Sequence, residues 1–229
     1  MKTLINGRWT DRKEEKQSND GSFKRKDTEF RNWITPDGSP GETGVGGFKA
    51  ESGRYHLYVS LACPWAHRTL IFRKLKNLEP HIGVSIVHPI MLENGWEFRT
   101  DFSQCTGDQI LGKNSIFEVY LAADKNITSR ASVPVLWDVK QATIVSNESS
   151  EIIRMFNSAF EQISVNELDL YPRTLRTEID ELNAMIYDDV NNGVYKTGFA
   201  TSQKSYTESF TKLFECLEEL EQRLSITRF

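Results

Sequence analysis

Cys63 is the side chain best placed to do chemistry, because it lies where a strand pattern changes into a helix pattern. Apolar residues alternate over 54–61, which predicts a half-buried strand. Residues 64–77 have helical spacing, and Pro64 suits a first helical position because its missing N–H costs nothing there. The predicted inner face of this helix comprises Leu70, Ile71, Lys74 and Leu75. A helix start favours an anion, so this position favours the nucleophilic thiolate.

The residues after Cys63 predict a site with a single thiol. A dithiol oxidoreductase carries Cys-x-x-Cys, whose second thiol resolves a mixed disulfide within the protein, but here Ala66 occupies the fourth position. An adduct on Cys63 must therefore be released by an external thiol, and glutathione is the obvious cytosolic one. The alternative is that Cys63 is inert packing at the end of a strand.

The other two cysteines, Cys105 and Cys216, are far apart in the sequence. Three widely separated cysteines do not make a disulfide framework. Without a paired cysteine or histidine nearby they do not predict a zinc site either, so we expect no metal.

Composition indicates a globular chain that works away from nucleic acid and membranes. The 229 residues are 38% hydrophobic and 26% charged, which suits one large or two small domains. A net charge of −4 gives no electrostatic case for a nucleic-acid or anionic-membrane partner. The first residues turn polar too early for a signal peptide, and no apolar run reaches the roughly 20 residues of a membrane helix. We therefore expect a cytoplasmic protein.

The order of elements predicts an α/β region. The strand 54–61 and the helix 64–77 are followed by a strand at 82–88 and a short helix at 115–123. The segments SVPVLWD and QATIVS predict an antiparallel hairpin, and a helix follows with Asn147 or a neighbour as its cap. This order resembles the thioredoxin-like arrangement of a four-stranded mixed sheet.

Beyond this region the pattern is purely helical. Apolar residues recur at helical spacing over 172–190 and 203–225, and no strand pattern interrupts them. The predicted organisation is an irregular N-terminal surface extension at 1–50, a thioredoxin-like domain at 51–160 and an all-α domain at 161–229.

The hexapeptide CPWAHR at 63–68 resembles the active-site motif of the Xi-class glutathione transferases, also called glutathionyl-hydroquinone reductases. Further segments resemble that family in the same order: GWEFRTD at 95–101, SVPVLWD at 132–138, IVSNESSEIIRMFN at 144–157, DLYP at 169–172 and NNGVYKTGFA at 191–200. The resemblance covers essentially the whole chain. It implies a thioredoxin-like domain that binds glutathione, followed by the all-α C-terminal domain of glutathione transferases. It also implies an enzyme that takes glutathione as co-substrate and a quinone-type conjugate as substrate.

The resemblance assigns roles to residues around Cys63. The Cys63 thiolate would attack the glutathione sulfur of a glutathionyl-quinol, and a second glutathione would regenerate the enzyme. Val133 and Pro134 look like the cis-proline element that pairs with the cysteinyl backbone of glutathione; an ordinary trans proline is the alternative. Glu148 and Ser149 look like the pair that holds the γ-glutamyl group, although a plain helix cap would have the same sequence.

Three further positions receive roles from the resemblance. Arg130 would reach the glycyl carboxylate, and Trp96 would cover glutathione. Tyr195 matches the tyrosine that exchanges a proton with the quinol oxygen. Without the resemblance these would be a loop charge, a surface anchor and a packing aromatic. His67 and Arg68 are interpreted as helix-face residues that support the loop.

The predicted last helix still carries its apolar stripe at Leu224, whereas family members continue through further helices. We therefore expect a truncated chain with an incomplete all-α domain, and a homodimer where that domain is complete. Two other functions stay open: an omega-type or glutaredoxin-like thioltransferase that uses the same Cys63 chemistry, and a non-catalytic remnant that binds glutathione or a protein partner.

Overall fold

The computed structural model describes residues 2–11 and 18–227, which form two compact units. The first unit contains residues 2–11 and 28–170, and the second contains residues 18–27 and 171–227. The division into two units uses other bounds than the predicted domains, and the domain boundaries expected at residues 50 and 160 stay predictions. Among the described residues, no helix combines the length and apolarity needed to cross a membrane.

The first unit contains six strands and three helices. In chain order these are β1 (Lys2–Ile5), β2 (Arg8–Asp11), β3 (Tyr55–Val59), α1 (Pro64–Leu75), β4 (Ile82–Ile86), α2 (Ile116–Ala123), β5 (Val135–Asp138), β6 (Thr143–Ser146) and α3 (Ser149–Ser158). The main sheet has the order β4-β3-β5-β6, with β3 and β4 parallel and the other pairs antiparallel. This is the predicted thioredoxin-like arrangement, and it places the start of α1 directly after the central strand β3.

The strand β3 is buried on both faces, so the prediction of a half-buried strand was wrong. All five of its residues are buried, including His56 and Tyr58 on the face expected to meet solvent. The ring of Tyr58 packs edge-on against Phe98, and its hydroxyl donates to Asp108 Oδ1 at 3.0 Å. The polar insertion after β4 therefore covers a face that the alternating pattern assigned to water.

The buried face of α1 also differs from the prediction. Ala66 and Thr69 are the fully buried residues of this helix, whereas Ile71 and Leu75 are exposed. The small side chain of Ala66 and the hydroxyl of Thr69, which donates to the Ala66 carbonyl at 2.6 Å, fit a close approach to the unit's core. Close packing thus selects small side chains where the apolar pattern suggested large ones.

Residues 2–11 form an antiparallel hairpin rather than the irregular surface extension predicted for 1–50. Leu4 is fully buried and exchanges backbone hydrogen bonds with Ser129, at 3.0 and 3.1 Å. Ile34 and Phe48, from the same predicted extension, are also buried in the core. Although this region is rich in turn-forming residues, its scattered apolar side chains pack into the core of the first unit.

The buried imidazole of His56 predicts an acid-sensitive fold. Burial lowers its pKa from 6.5 to about 4, and one ring nitrogen lies 2.8 Å from Ser85 Oγ. Between pH 6.5 and 4 the unfolded chain therefore binds a proton that the folded chain does not, so stability falls as the pH falls. Denaturant unfolding measures the free energy of unfolding at pH 7 and at pH 4.5. This free energy should fall between the two pH values, and the fall should be smaller in His56→Gln than in the wild type by up to about 3 kcal/mol.

His67, an exposed histidine in α1, provides the matched control for this measurement. The variant His67→Gln should keep the acid sensitivity of the wild type. An equal loss of stability between the two pH values in His56→Gln and the wild type would contradict a role for His56.

The second unit is helical, as predicted, within its described residues. It contains α4 (Arg176–Met185), a π-helical continuation (Ile186–Asn191), α5 (Gly193–Gly198) and α6 (Gln203–Ile226). Ser202 caps α6 by accepting from the Ser205 amide at 3.2 Å, and both serine hydroxyls donate to the Asp20 carbonyl. The residues from 18 to 27 are therefore fastened to the start of α6.

Candidate active site

Cys63 is the N-cap residue of α1, with extended backbone angles, and Pro64 is the first residue of the helix. The Cys63 carbonyl accepts the first helical hydrogen bond, from the His67 amide at 3.0 Å. The thiol is half-buried, and its Sγ lies 3.5 Å from the carbonyl oxygen of Val133. In the described part of the chain, the side chain of Cys63 makes no capping hydrogen bond to the amides of α1. The predicted placement of the thiol is confirmed, while its stabilisation as a thiolate stays a prediction.

The Val133–Pro134 peptide bond is cis, as predicted. It directly precedes β5, and Val133 is buried against the core. The contact between its carbonyl and Cys63 Sγ brings together two predicted site residues that lie 70 positions apart. A thiol donates to a carbonyl, so this contact belongs to the protonated form of Cys63.

Glu148 and Ser149 form the start of α3. Glu148 is the N-cap residue, and its Oε1 accepts from the Ser150 amide at 3.1 Å and the Ser150 hydroxyl at 2.8 Å. Ser149 is the first helical residue and is buried. The arrangement places a carboxylate, a hydroxyl and the helix amides within two residues, and the binding role of Glu148 and Ser149 stays a prediction.

Arg68 joins this helix start to α1, which the sequence did not indicate. Its Nε and Nη2 donate to Ser149 Oγ at 3.0 and 2.7 Å, and Nη2 lies 3.8 Å from Glu148 Oε1. The guanidinium also lies over the ring of Trp65, 5.3 Å from its centroid. Arg68 lies in the same helix as the residues that follow Cys63, but no pattern in the sequence connects it with Ser149.

Trp96 and Arg130 occupy the loops before α2 and β5. Trp96 is half-buried against the core, and its carbonyl accepts from the Ile116 amide at 2.9 Å at the start of α2. Arg130 is exposed and follows Ser129, the residue that pairs with Leu4. These contacts anchor both loops, and the glutathione contacts of Trp96 and Arg130 stay predictions.

Tyr195 lies in α5 of the second unit, among aromatic neighbours. Its ring centroid is 6.3 Å from that of Phe23 and 6.2 Å from that of Phe199. The guanidinium carbon of Arg25 lies 4.4 Å from the centroid of the Tyr195 ring, and Arg25 Nε donates to Asn192 Oδ1 at 2.5 Å. A cation over an aromatic face is attractive, so this cluster holds the phenol ring in place within the second unit.

The three cysteines should differ in their reaction with alkylating agents. Burial raises the pKa of the Cys105 thiol and of the Cys216 thiol, and Cys216 is also enclosed. Cys63, half-buried at a helix start, should therefore alkylate first when iodoacetamide is added between pH 6 and 8 and the modified peptides are counted by mass spectrometry. Equal labelling of Cys63 and Cys105 across that range would speak against an activated Cys63.

A group of three or more histidine, cysteine, aspartate or glutamate side chains placed to hold a metal ion is not found among residues 2–11 and 18–227.

A family model supports this description. The N-terminal domain of glutathione S-transferases matches residues 62–159, which run from just before Cys63 to the end of α3. Two relatives match nearly all of the chain or all of it. The glutathionyl-hydroquinone reductase YqjG of Escherichia coli K12 is 58% identical over 100% of this chain and 70% of its own length. The glutathionyl-hydroquinone reductase PcpF of Sphingobium chlorophenolicum is 45% identical over 98% of this chain and 68% of its own length.

Solved structures agree. The glutathione-bound structure of YqjG has a TM-score of 0.89 at 56% identity, covering 99% of this chain and 68% of that one. The Xi-class transferase of Natrialba magadii has a TM-score of 0.91 at 43% identity, covering 100% of this chain and 68% of that one. The chain therefore belongs to the Xi-class glutathione transferases, the enzyme family that contains the glutathionyl-hydroquinone reductases. These matches cover 98–100% of this chain and 68–70% of the relatives' own length.

Proposed function

We propose that this protein is a glutathione-dependent reductase that removes glutathione from glutathionyl-hydroquinones. The observation that carries the proposal is the position of Cys63 Sγ at the start of α1, 3.5 Å from the carbonyl of the cis Val133–Pro134 peptide. This geometry supports a reactive sulfur beside a backbone edge that can pair with the cysteinyl part of glutathione. The names of the two curated relatives support the quinol conjugate as substrate.

The proposed reaction has two steps that balance in atoms and electrons. The Cys63 thiolate attacks the glutathione sulfur of the conjugate, so that an S–S bond forms and the bond from sulfur to the quinol carbon breaks. Cys63 and the glutathione sulfur are oxidised to a mixed disulfide, the ring carbon is reduced and takes up a proton, and the quinol leaves. A second glutathione thiolate then attacks the mixed disulfide, which releases oxidised glutathione and restores the Cys63 thiolate.

The remaining site residues bind and orient glutathione or move a proton. Glu148 receives the ammonium of the γ-glutamyl group, and Ser149 with the α3 amides receives its carboxylate. Arg130 pairs with the glycyl carboxylate, and Trp96 covers the tripeptide. Tyr195 exchanges a proton with the quinol oxygen as the bond to sulfur breaks.

Two substrates given to the wild-type protein test this proposal. A glutathionyl-hydroquinone reports quinol release by chromatography, and a small glutathione mixed disulfide reports thiol exchange. Quinol release with formation of oxidised glutathione supports the proposal. Thiol exchange without quinol release would instead identify a thioltransferase, and binding of glutathione with neither reaction would identify a non-catalytic binding protein.

A further inference from the structure

The side chain of Arg68 connects the helix that begins at Cys63 with the helix that begins at Ser149. Two of its nitrogens, Nε and Nη2, donate to the same acceptor, Ser149 Oγ. The packing of the guanidinium over Trp65 fixes its plane on the other side. A planar fork held by a ring and a hydroxyl keeps one orientation, so the charge of Arg68 has a defined position.

This contact sets the role of the Ser149 hydroxyl. A hydroxyl has one proton to donate and two lone pairs that accept, whereas a guanidinium only donates. Because Arg68 presents two N–H groups to Ser149 Oγ, the lone pairs of this oxygen are occupied. The proton of the hydroxyl is then directed away from Arg68 and serves an acceptor such as a carboxylate.

Ser149 and Arg68 also differ in their exposure to solvent. Ser149 is buried, at 3% exposure, whereas 29% of the Arg68 side chain is accessible. A ligand carboxylate that approaches the start of α3 therefore meets the guanidinium of Arg68 as its accessible positive charge. The partial positive charge of the helix start adds to this attraction.

Arg68 and Glu148 present opposite charges to the same place. Arg68 Nη2 and Glu148 Oε1 are 3.8 Å apart, which is longer than the roughly 2.7–2.9 Å of a charge-assisted hydrogen bond. Both side chains are partly exposed, so a ligand that carries an ammonium and a carboxylate side by side meets both charges there. An ammonium and a carboxylate on one carbon atom, as at the γ-glutamyl end of glutathione, match this pair of charges.

We propose that Arg68 determines specificity for the free α-carboxylate of the γ-glutamyl group. The inference rests on the proposed function, because it requires that Glu148 and Ser149 receive that group. Arg68 supplies the charge that recognises the carboxylate and aligns the Ser149 hydroxyl toward it, while Glu148 recognises the ammonium.

Calorimetric binding of three unreactive S-methyl peptides tests this inference. The first is S-methylglutathione, the second is its 4-aminobutyryl analogue without the α-carboxylate, and the third is its glutaryl analogue without the ammonium. The wild type should prefer the first over the second by about 10- to 100-fold, as for one charge-assisted contact. In Arg68→Met this preference should fall to within about threefold, while the preference over the glutaryl analogue stays.

Two further variants complete the experiment. Arg68→Lys should keep part of the preference, because a lysine provides the charge without the two-pronged hydrogen bond. Lys74→Met removes an exposed charge from the same helix and should behave as the wild type. Thermal unfolding of all variants should give similar midpoints.

The outcomes separate the inference from the proposed function. An Arg68→Met variant with the wild-type preference for the α-carboxylate would overturn the inference alone. So would an equal loss of both preferences, which indicates a general structural role. A wild-type protein that binds none of the peptides would overturn the proposed function and the inference together.

Discussion

Replacement of Cys63 by serine should lower quinol release from a glutathionyl-hydroquinone by about 10³-fold or more, the order expected when a covalent nucleophile is lost. The serine hydroxyl occupies the same position at the start of α1 but is not ionised near neutral pH, so it cannot attack the glutathione sulfur. Chromatography of the released quinol, with oxidised glutathione as the second product, measures the effect.

Binding and a second cysteine provide the controls for this experiment. The affinity of Cys63→Ser for S-methylglutathione should stay within a fewfold of the wild type, since the groups at the start of α3 are unchanged. Cys105→Ser should keep its activity, because that thiol lies in a loop and donates to the Val87 carbonyl at 3.4 Å. Turnover by Cys63→Ser at the wild-type rate would refute covalent catalysis by this residue.

Replacement of Asp138 by asparagine should destabilise the first unit by about 3–5 kcal/mol, because it breaks a buried ion pair from one side. Asp138 ends β5 and is fully buried, and its two oxygens lie 2.5–3.1 Å from the guanidinium of Arg54. Its Oδ1 also accepts from the Lys140 and Gln141 amides and so closes the turn of the hairpin. The uncharged amide would leave the buried guanidinium of Arg54 with the partly exposed Glu51, at 2.8 Å, as its remaining carboxylate partner.

Denaturant unfolding followed by tryptophan fluorescence measures this loss. The exposed pair of Lys74 and Glu79, at 2.7 Å, is the matched control. Glu79→Gln should change the free energy of unfolding by no more than about 1 kcal/mol, because solvent already screens that pair. A change in Asp138→Asn as small as that in Glu79→Gln would show that the buried pair does not stabilise the fold.

Local sequence patterns were enough to predict the position of the Cys63 thiol at the start of α1. The change from an alternating to a helical pattern, with a proline at the junction, fixes Cys63 as the residue before α1. The hairpin of β5 and β6 was likewise predictable, since two short apolar runs flank a turn. These features depend on neighbouring residues, and neighbouring residues are what a single sequence shows best.

Burial was predicted less well, because it depends on segments that are distant in the sequence. The strand β3 has both faces covered since the insertion after β4 supplies Phe98 and Asp108 to its second face. The hairpin at 2–11 was missed for the same reason, because its anchor is the pairing of Leu4 with Ser129. Composition indicated turns in the first fifty residues but not the partner that orders them.

The candidate site shows the same limit. A sequence motif indicated Cys63, and the resemblance indicated Glu148 and Ser149, but nothing local linked them to Arg68. The hydrogen bonds from Arg68 to Ser149 join residues 81 positions apart. Such a contact becomes visible only when α1 and α3 are packed side by side.

The second unit draws residues 18–27 from a part of the chain that precedes the whole main sheet. Gene shuffling between relatives at the 170/171 junction would therefore take Arg25 from one parent and Tyr195 from the other. In such a chimera the Tyr195 ring and the Arg25 guanidinium come from different parents. The cluster persists only if both parents carry the same residues at these two positions. An exchange of the helical region after residue 170 would therefore leave behind residues 18–27, which belong to the same unit.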